Sequence, residues 1–165
     1  MADVTTGTQG HPSLAFDKDG TAWCAWEDAR SGPNNMRIYA ADSKTRKNVQ
    51  INEVPKKAPE SLHWLAAAPG GEVFVAWLDL RNREKGQDLA WVKITDQGRK
   101  IGKNQIIPGP LCECCAPGLA VDAKGNPTLI YREGGKNANR ALLMATGASL
   151  SRIARINQGD SKVDS

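Results

Sequence analysis

The sequence predicts an all-β fold made of three copies of one unit of about fifty residues. Residues 12–30, 65–81 and 117–133 align, and each runs apolar strand, Gly-ending turn, apolar strand, aromatic, then charged residues. The aromatics are Trp26, Trp77 and Tyr131, 51 and 54 residues apart. The turns are Asp17-Lys-Asp-Gly20, Pro69-Gly-Gly71 and Asp122-Ala-Lys-Gly125. Asp bonds its own backbone and Gly supplies the positive φ of a tight hairpin, so each turn joins two antiparallel strands.

The second half of each unit repeats more weakly. Residues 36–41, 88–93 and 140–145 read as third strands, and residues 47–51, 103–107 and 151–156 close each unit. Polar loops at 31–35, 82–87 and 134–139 separate second from third strands. The units therefore cover about 10–58, 59–112 and 113–158 of a single domain over 1–165. No segment of helical length carries a 3.6-residue period, and the run at Ala66–Ala68 stops at Pro-Gly-Gly. Pro108-Gly-Pro110 reads as a turn, and residues 159–165 as a frayed tail.

Composition narrows the partners. The net charge is +4 with Lys and Arg scattered, so no clustered patch suits nucleic acid. No apolar run approaches the ~20 residues of a membrane span, so no membrane partner is expected. The first ten residues lack a basic start and an apolar stretch. The expected location is periplasmic or secreted with the signal already removed; a cytoplasmic location stays open.

A period near fifty residues matches a four-stranded propeller blade. The repeated unit resembles the sialidase-like β-propellers, whose BNR or Asp-box repeats place Ser-x-Asp-x-Gly-x-x-Trp between third and fourth strands. The matching place in the second unit, residues 94–101, keeps only Asp96-x-Gly98. The turns at Ala41-Asp42-Ser43 and Thr146-Gly147-Ala148 keep less. The longer pattern, Asp-x-x-Gly, an aromatic, then x-Asp-x-Arg, is complete in the first unit. The resemblance covers residues 10–157 and implies a β-propeller of four-stranded blades, three of them in this chain. Propellers close with four to eight blades. A six-bladed ring is expected, completed by a homodimer or by the remainder of a longer chain.

Four cysteines stand at 24, 112, 114 and 115. The run Cys112-Glu-Cys114-Cys115 supports three readings. Disulfides are one, with a vicinal Cys114–Cys115 bridge and Cys112 paired to Cys24 or to another chain. A copper or zinc site is another, with His11 or His63 completing the ligand set. Redox exchange is the third, without the βαβ pattern of a thioredoxin. Cys24 alternates with Trp23 and Ala25 and reads as a small core residue. His11, His63 and the cysteine run all precede first strands, which in a propeller converge on the central channel.

Arg30 and Arg81 follow Asp28 and Asp79 at one offset from the aromatics, whereas Arg132 directly follows Tyr131. Three arginines suit a carboxylate ligand, as in sialidases, because guanidinium forks pair bidentately. The alternative is a structural ion pair at each strand end. The family's Arg-Ile-Pro segment is absent, and nothing marks Tyr39 or Tyr131 as a nucleophile. The leading expectation is a non-catalytic, sialidase-like scaffold that binds a glycan or protein ligand on the ring face. The rivals are a thiolate metal or redox protein and a divergent glycoside hydrolase.

Overall fold

The computed structural model describes residues 7–32, 35–53, 61–81, 84, 86–95, 100–134 and 141–157. They form thirteen strands in three antiparallel sheets. Sheet one holds β1 (Gln9–Phe16), β2 (Ala22–Asp28), β3 (Arg37–Asp42) and β4 (Val49–Gln50) in sequential order. Sheet two holds β5 (Ser61–Ala67), β6 (Val73–Asp79), β7 (Gln87–Thr95) and β8 (Lys100–Ile101), with β9 (Gln105–Leu111) also paired to β7. Sheet three holds β10 (Gly118–Val121), β11 (Pro127–Arg132), β12 (Leu142–Thr146) and β13 (Arg152–Arg155).

The expected hairpins form for the expected reason. Asp17 Oδ1 accepts the amides of Asp19 and Thr21 at 2.9 Å each, and Gly20 has φ +71°. Asp122 Oδ1 accepts the amides of Lys124 and Asn126 at 2.8 Å each, with Gly125 at φ +83°. The expected third strands are β3, β7 and β12. At the turn after β3, Asp42 takes the amides of Lys44 and Thr45. Residues 96–99, which carry the Asp96-x-Gly98 centre, lie outside the described residues, as do the tail, most of the loop at 134–139 and parts of the other two polar loops.

Two details differ from the sequence reading. Residues 108–110 are not a turn: they lie inside β9. Proline is tolerated there because β9 is an outermost strand, with no further ladder needing its N–H. The closing strand of the second unit is also split, with β8 pairing the end of β7 and β9 pairing its beginning.

The sheets stack face to face. Every residue of β6 is buried, so the period-2 alternation of a strand feeds two cores. Val73, Val75 and Trp77 join Trp23, Ile38 and Val92 in the core between sheets one and two. Phe74, Ala76 and Leu78 join Leu89, Leu129 and Tyr131 in the core between sheets two and three. Strand β5 packs between β1 and β10, so the first strands of the three sheets adjoin.

The two terminal sheets leave apolar side chains on their outer faces. Leu14 and Phe16 of β1 are 59% and 64% exposed. Ile130 and Leu142 of sheet three, and Ile156 just after it, are each about 40% exposed. No helix among the described residues is long and apolar enough to cross a membrane.

Candidate functional site

Three sets of polar side chains sit at the ends of β2, β6 and β11. At the first two, a buried aspartate is clamped by its own strand. Asp79, with no exposure, accepts Trp77 Nε1 at 3.2 Å, the Arg81 amide at 2.9 Å, and the guanidinium at 2.6 and 2.7 Å. Asp28 accepts Trp26 Nε1 at 2.8 Å, the Arg30 amide at 2.8 Å and Arg30 Nη2 at 2.7 Å. The Arg30 guanidinium also lies 4.1 Å over the Tyr39 ring and donates to Asn48. The repeated aromatic-x-Asp-x-Arg pattern thus encodes a strand-end ion pair, because residues two apart share a face. In the first two sheets this is the structural alternative to a carboxylate clamp.

The clamp titrates. Burial opposes ionisation of Asp28, but the bonds from Arg30 and Trp26 and the charge of Arg30 outweigh it and hold the carboxyl at about 2. A carboxylate depressed in the fold stabilises it fully above the unfolded value near 4 and loses that contribution as pH falls toward 2. The contribution is about 2 kcal/mol. Asp28→Asn is expected to flatten the acid limb of a stability–pH curve over that window. An unchanged acid limb in urea titrations would refute the assignment.

Glu27 was missed by the sequence reading. It sits one residue after Trp26 and therefore faces sheet two. Its buried carboxylate accepts His11 Nδ1 at 2.9 Å and the Leu62 amide at 2.8 Å, joining β1 to β5. His63 is buried beside it, with Nε2 donating to the Ala25 carbonyl at 3.0 Å and Nδ1 unpartnered among the described residues. Burial pushes the His63 imidazole below its ordinary value, against the pull of the Ala25 carbonyl and Glu27. Both β1 and β5 carry a register shift here, and His11 and Leu62 hold φ of +48° and +49°. Bulges with left-handed non-glycine residues re-aim a strand end. The hint in the sequence was a charge between Trp26 and Asp28 where the second unit has Leu78.

Arg132 occupies the Glu27 position of the third sheet, not the position of Arg30 and Arg81. Tyr131 is buried against sheet two, so Arg132 faces outward. Its Nη1 lies 3.4 Å from Cys115 Sγ and 3.7 Å from Cys112 Sγ. The three predicted arginines therefore have different partners: two hold aspartates and one holds sulfur.

The cysteine pairing also differs from expectation. Cys112 is bonded to Cys115, with Cα atoms 5.4 Å apart, while Cys24 and Cys114 are free. The Cys115 amide approaches the Cys112 carbonyl at 3.4 Å, closing a turn that returns Cys115 over Cys112. The pair has Cys-x-x-Cys spacing, which the intervening Cys114 disguises. Burial pushes the Cys24 thiol up, in a strand remote from this loop. The sulfurs of Cys112, Cys114 and Cys115 lie within 4.8 Å of one another. Among the described residues neither histidine joins that group.

At the opposite end of sheets two and three is an open cleft of about 260 Å³. Phe74, Trp91, Lys93, Lys103, Gln105 and Ser149 line it.

No family model and no curated protein sequence matches the chain. Solved structures do. An α-L-arabinofuranosidase from Fusarium graminearum, bound to an iminosugar inhibitor, aligns over 87% of this chain with TM-score 0.57 and 15% identity. The chain spans about half of that enzyme, 46%. A protein of unknown function from Dyadobacter fermentans aligns over 93% of this chain and 52% of its own, with TM-score 0.57 and 14% identity. A fucose lectin from Kordia zhangzhouensis, complexed with methyl-fucoside, aligns over 91% of this chain and all of its own, with TM-score 0.55 and 8% identity. The fold is a partial β-propeller. Its three sheets are blades, and β1, β5 and β10 are their adjoining inner strands. Glu27, the histidines and the cysteine loop sit at one end of the blades, and the Trp91 cleft opens at the other.

Proposed function

We propose that the chain is a non-catalytic binding module, one half of a six-bladed ring that a second copy completes. The observation that carries the reading is the fate of the buried acids. Asp28 and Asp79 are locked by their own strand's Trp and Arg, and Glu27 by His11 and Leu62, so these carboxylates hold the scaffold. What stays open is the cleft between the second and third blades, floored by the edges of the nearly buried Phe74 and Trp91 and rimmed by lysines and an amide. Aromatic surface with a few polar groups suits a sugar ring. The likeness to a fucose lectin and to an α-L-arabinofuranosidase supports a glycan as ligand.

One feature supports a second copy. The outer faces of blades one and three carry exposed apolar side chains, and in a ring each covers the other. The Cys112–Cys115 bond fits an oxidising compartment, periplasmic or secreted.

Solution mass and sugar titration test both parts. The chain is expected to sediment at twice 17.8 kDa, and Phe16→Glu or Ile130→Glu to give a monomer. Methyl-fucoside is expected to change Trp fluorescence in the native chain and not in Trp91→Ala. A stable native monomer refutes the ring. Turnover of a fluorogenic arabinofuranoside or sialoside that disappears in Glu27→Gln refutes the non-catalytic reading and favours a divergent hydrolase.

A further inference from the structure

We propose that Cys112, Cys114 and Cys115 form a cuprous-ion site that the Cys112–Cys115 disulfide closes and its reduction opens. The three sulfurs already lie within 4.8 Å of one another, with Cys112 and Cys114 Sγ 3.7 Å apart. Shared ligation of one ion therefore needs little movement of the loop.

The donor set selects the metal. Three sulfurs, joined by no histidine or carboxylate among the described residues, are a soft and incomplete shell. Zinc takes four ligands in structural sites and adds a water only where chemistry follows. Hard divalent ions want oxygen. Cuprous copper prefers thiolates and is content with two or three of them. Three thiolates around Cu(I) carry a net charge of −2, and the Arg132 guanidinium stands against two of the sulfurs to offset it.

The loop is built to hold that geometry. The Cys112 amide donates to the Arg132 carbonyl at 3.0 Å, and the Gly134 amide to the Pro110 carbonyl at 3.0 Å. A side chain at Gly134 would strike the Leu111 carbonyl, so glycine there allows the close docking of the loop on β11. Cys112 and Cys115 are half-buried and Cys114 is exposed, giving the ion an entry from solvent.

The steps balance with a dithiol as reductant. One of its thiolates attacks the Cys112–Cys115 bond, and its second sulfur resolves the mixed disulfide. Two electrons pass to Cys112 and Cys115, and the reductant leaves as a disulfide. Cu(I) then replaces the three thiol protons, which go to solvent, and no electron moves.

The whole chain, reduced and kept anaerobic, is titrated with Cu(I) against a bathocuproine competitor, with thiols counted in parallel. One copper per chain is expected after reduction and none in the oxidised chain. Cys114→Ser is expected to weaken binding at least tenfold. Arg132→Gln is expected to weaken it about 10- to 100-fold, as loss of an outer partner does, with Arg132→Lys recovering part. Cys24→Ser is expected to change nothing, and circular dichroism shows whether each variant is folded. Equal copper uptake by Cys112→Ser/Cys115→Ser overturns the site. Equal uptake by the oxidised chain overturns the switch. Tighter one-to-one binding of Zn(II) overturns the choice of metal.

Discussion

Trp77→Ala is expected to destabilise the chain by about 4 kcal/mol, the range for removing a buried large aromatic. Trp77 is fully buried in the core that joins the first two blades. Its indole also donates to Asp79, so truncation both empties a cavity and removes a bond from a buried carboxylate. A domain of this size has about 5–15 kcal/mol in total, so the variant is left near the edge of folding. The urea midpoint is expected to fall by about 2 M at an unchanged slope. Trp77→Phe keeps most of the ring and loses the donor, for about half the loss. A fall under 1 kcal/mol in Trp77→Ala would mean that the two blades do not share this core.

Asp79→Ala is the second large loss, about 3 kcal/mol. It removes the acceptor of the Trp77 indole N–H and of the Arg81 amide, and the carboxylate that the guanidinium grips, at once. Arg81 retains some solvent contact, so its charge is partly rehydrated, and the loss stays below that of a fully enclosed pair. Asp79→Ala combined with Trp77→Phe is expected to cost less than the two separately, since they break the same bond. A strictly additive pair in denaturation would show that Trp77 packs without supporting the carboxylate.

The blades were legible because their signals are local. Asp-x-x-Gly turns and two-residue alternation act within a hairpin, so the strands through β7 and the ion pairs at Asp28 and Asp79 follow from spacing alone. The parts missed have two causes, a contact between units and local geometry that the spacing disguises. Glu27 is bonded to a residue 35 positions away, and no sequence period links it to Leu62. Arg132 looks like a third arginine until the pleat is counted: a shift of one residue turns it from the face of Arg30 and Arg81 to the other. The Cys112–Cys115 bond depends on a turn through Glu113 and Cys114 that adjacency of two cysteines obscures.

The prolines of β9 bear on how this chain meets its own copies in a crowded solution. A sheet rim with unused N–H groups templates further strands and leads to fibrils. Here the rim offers little to add to: Pro108 and Pro110 carry no N–H, β4 is two residues long, and β13 places arginine at both ends. Sideways growth of the sheets is discouraged while the flat apolar faces stay uncovered. The ring proposed above would then form through side-chain contacts of fixed shape, which can close and stop, and not through open-ended stacking of backbones.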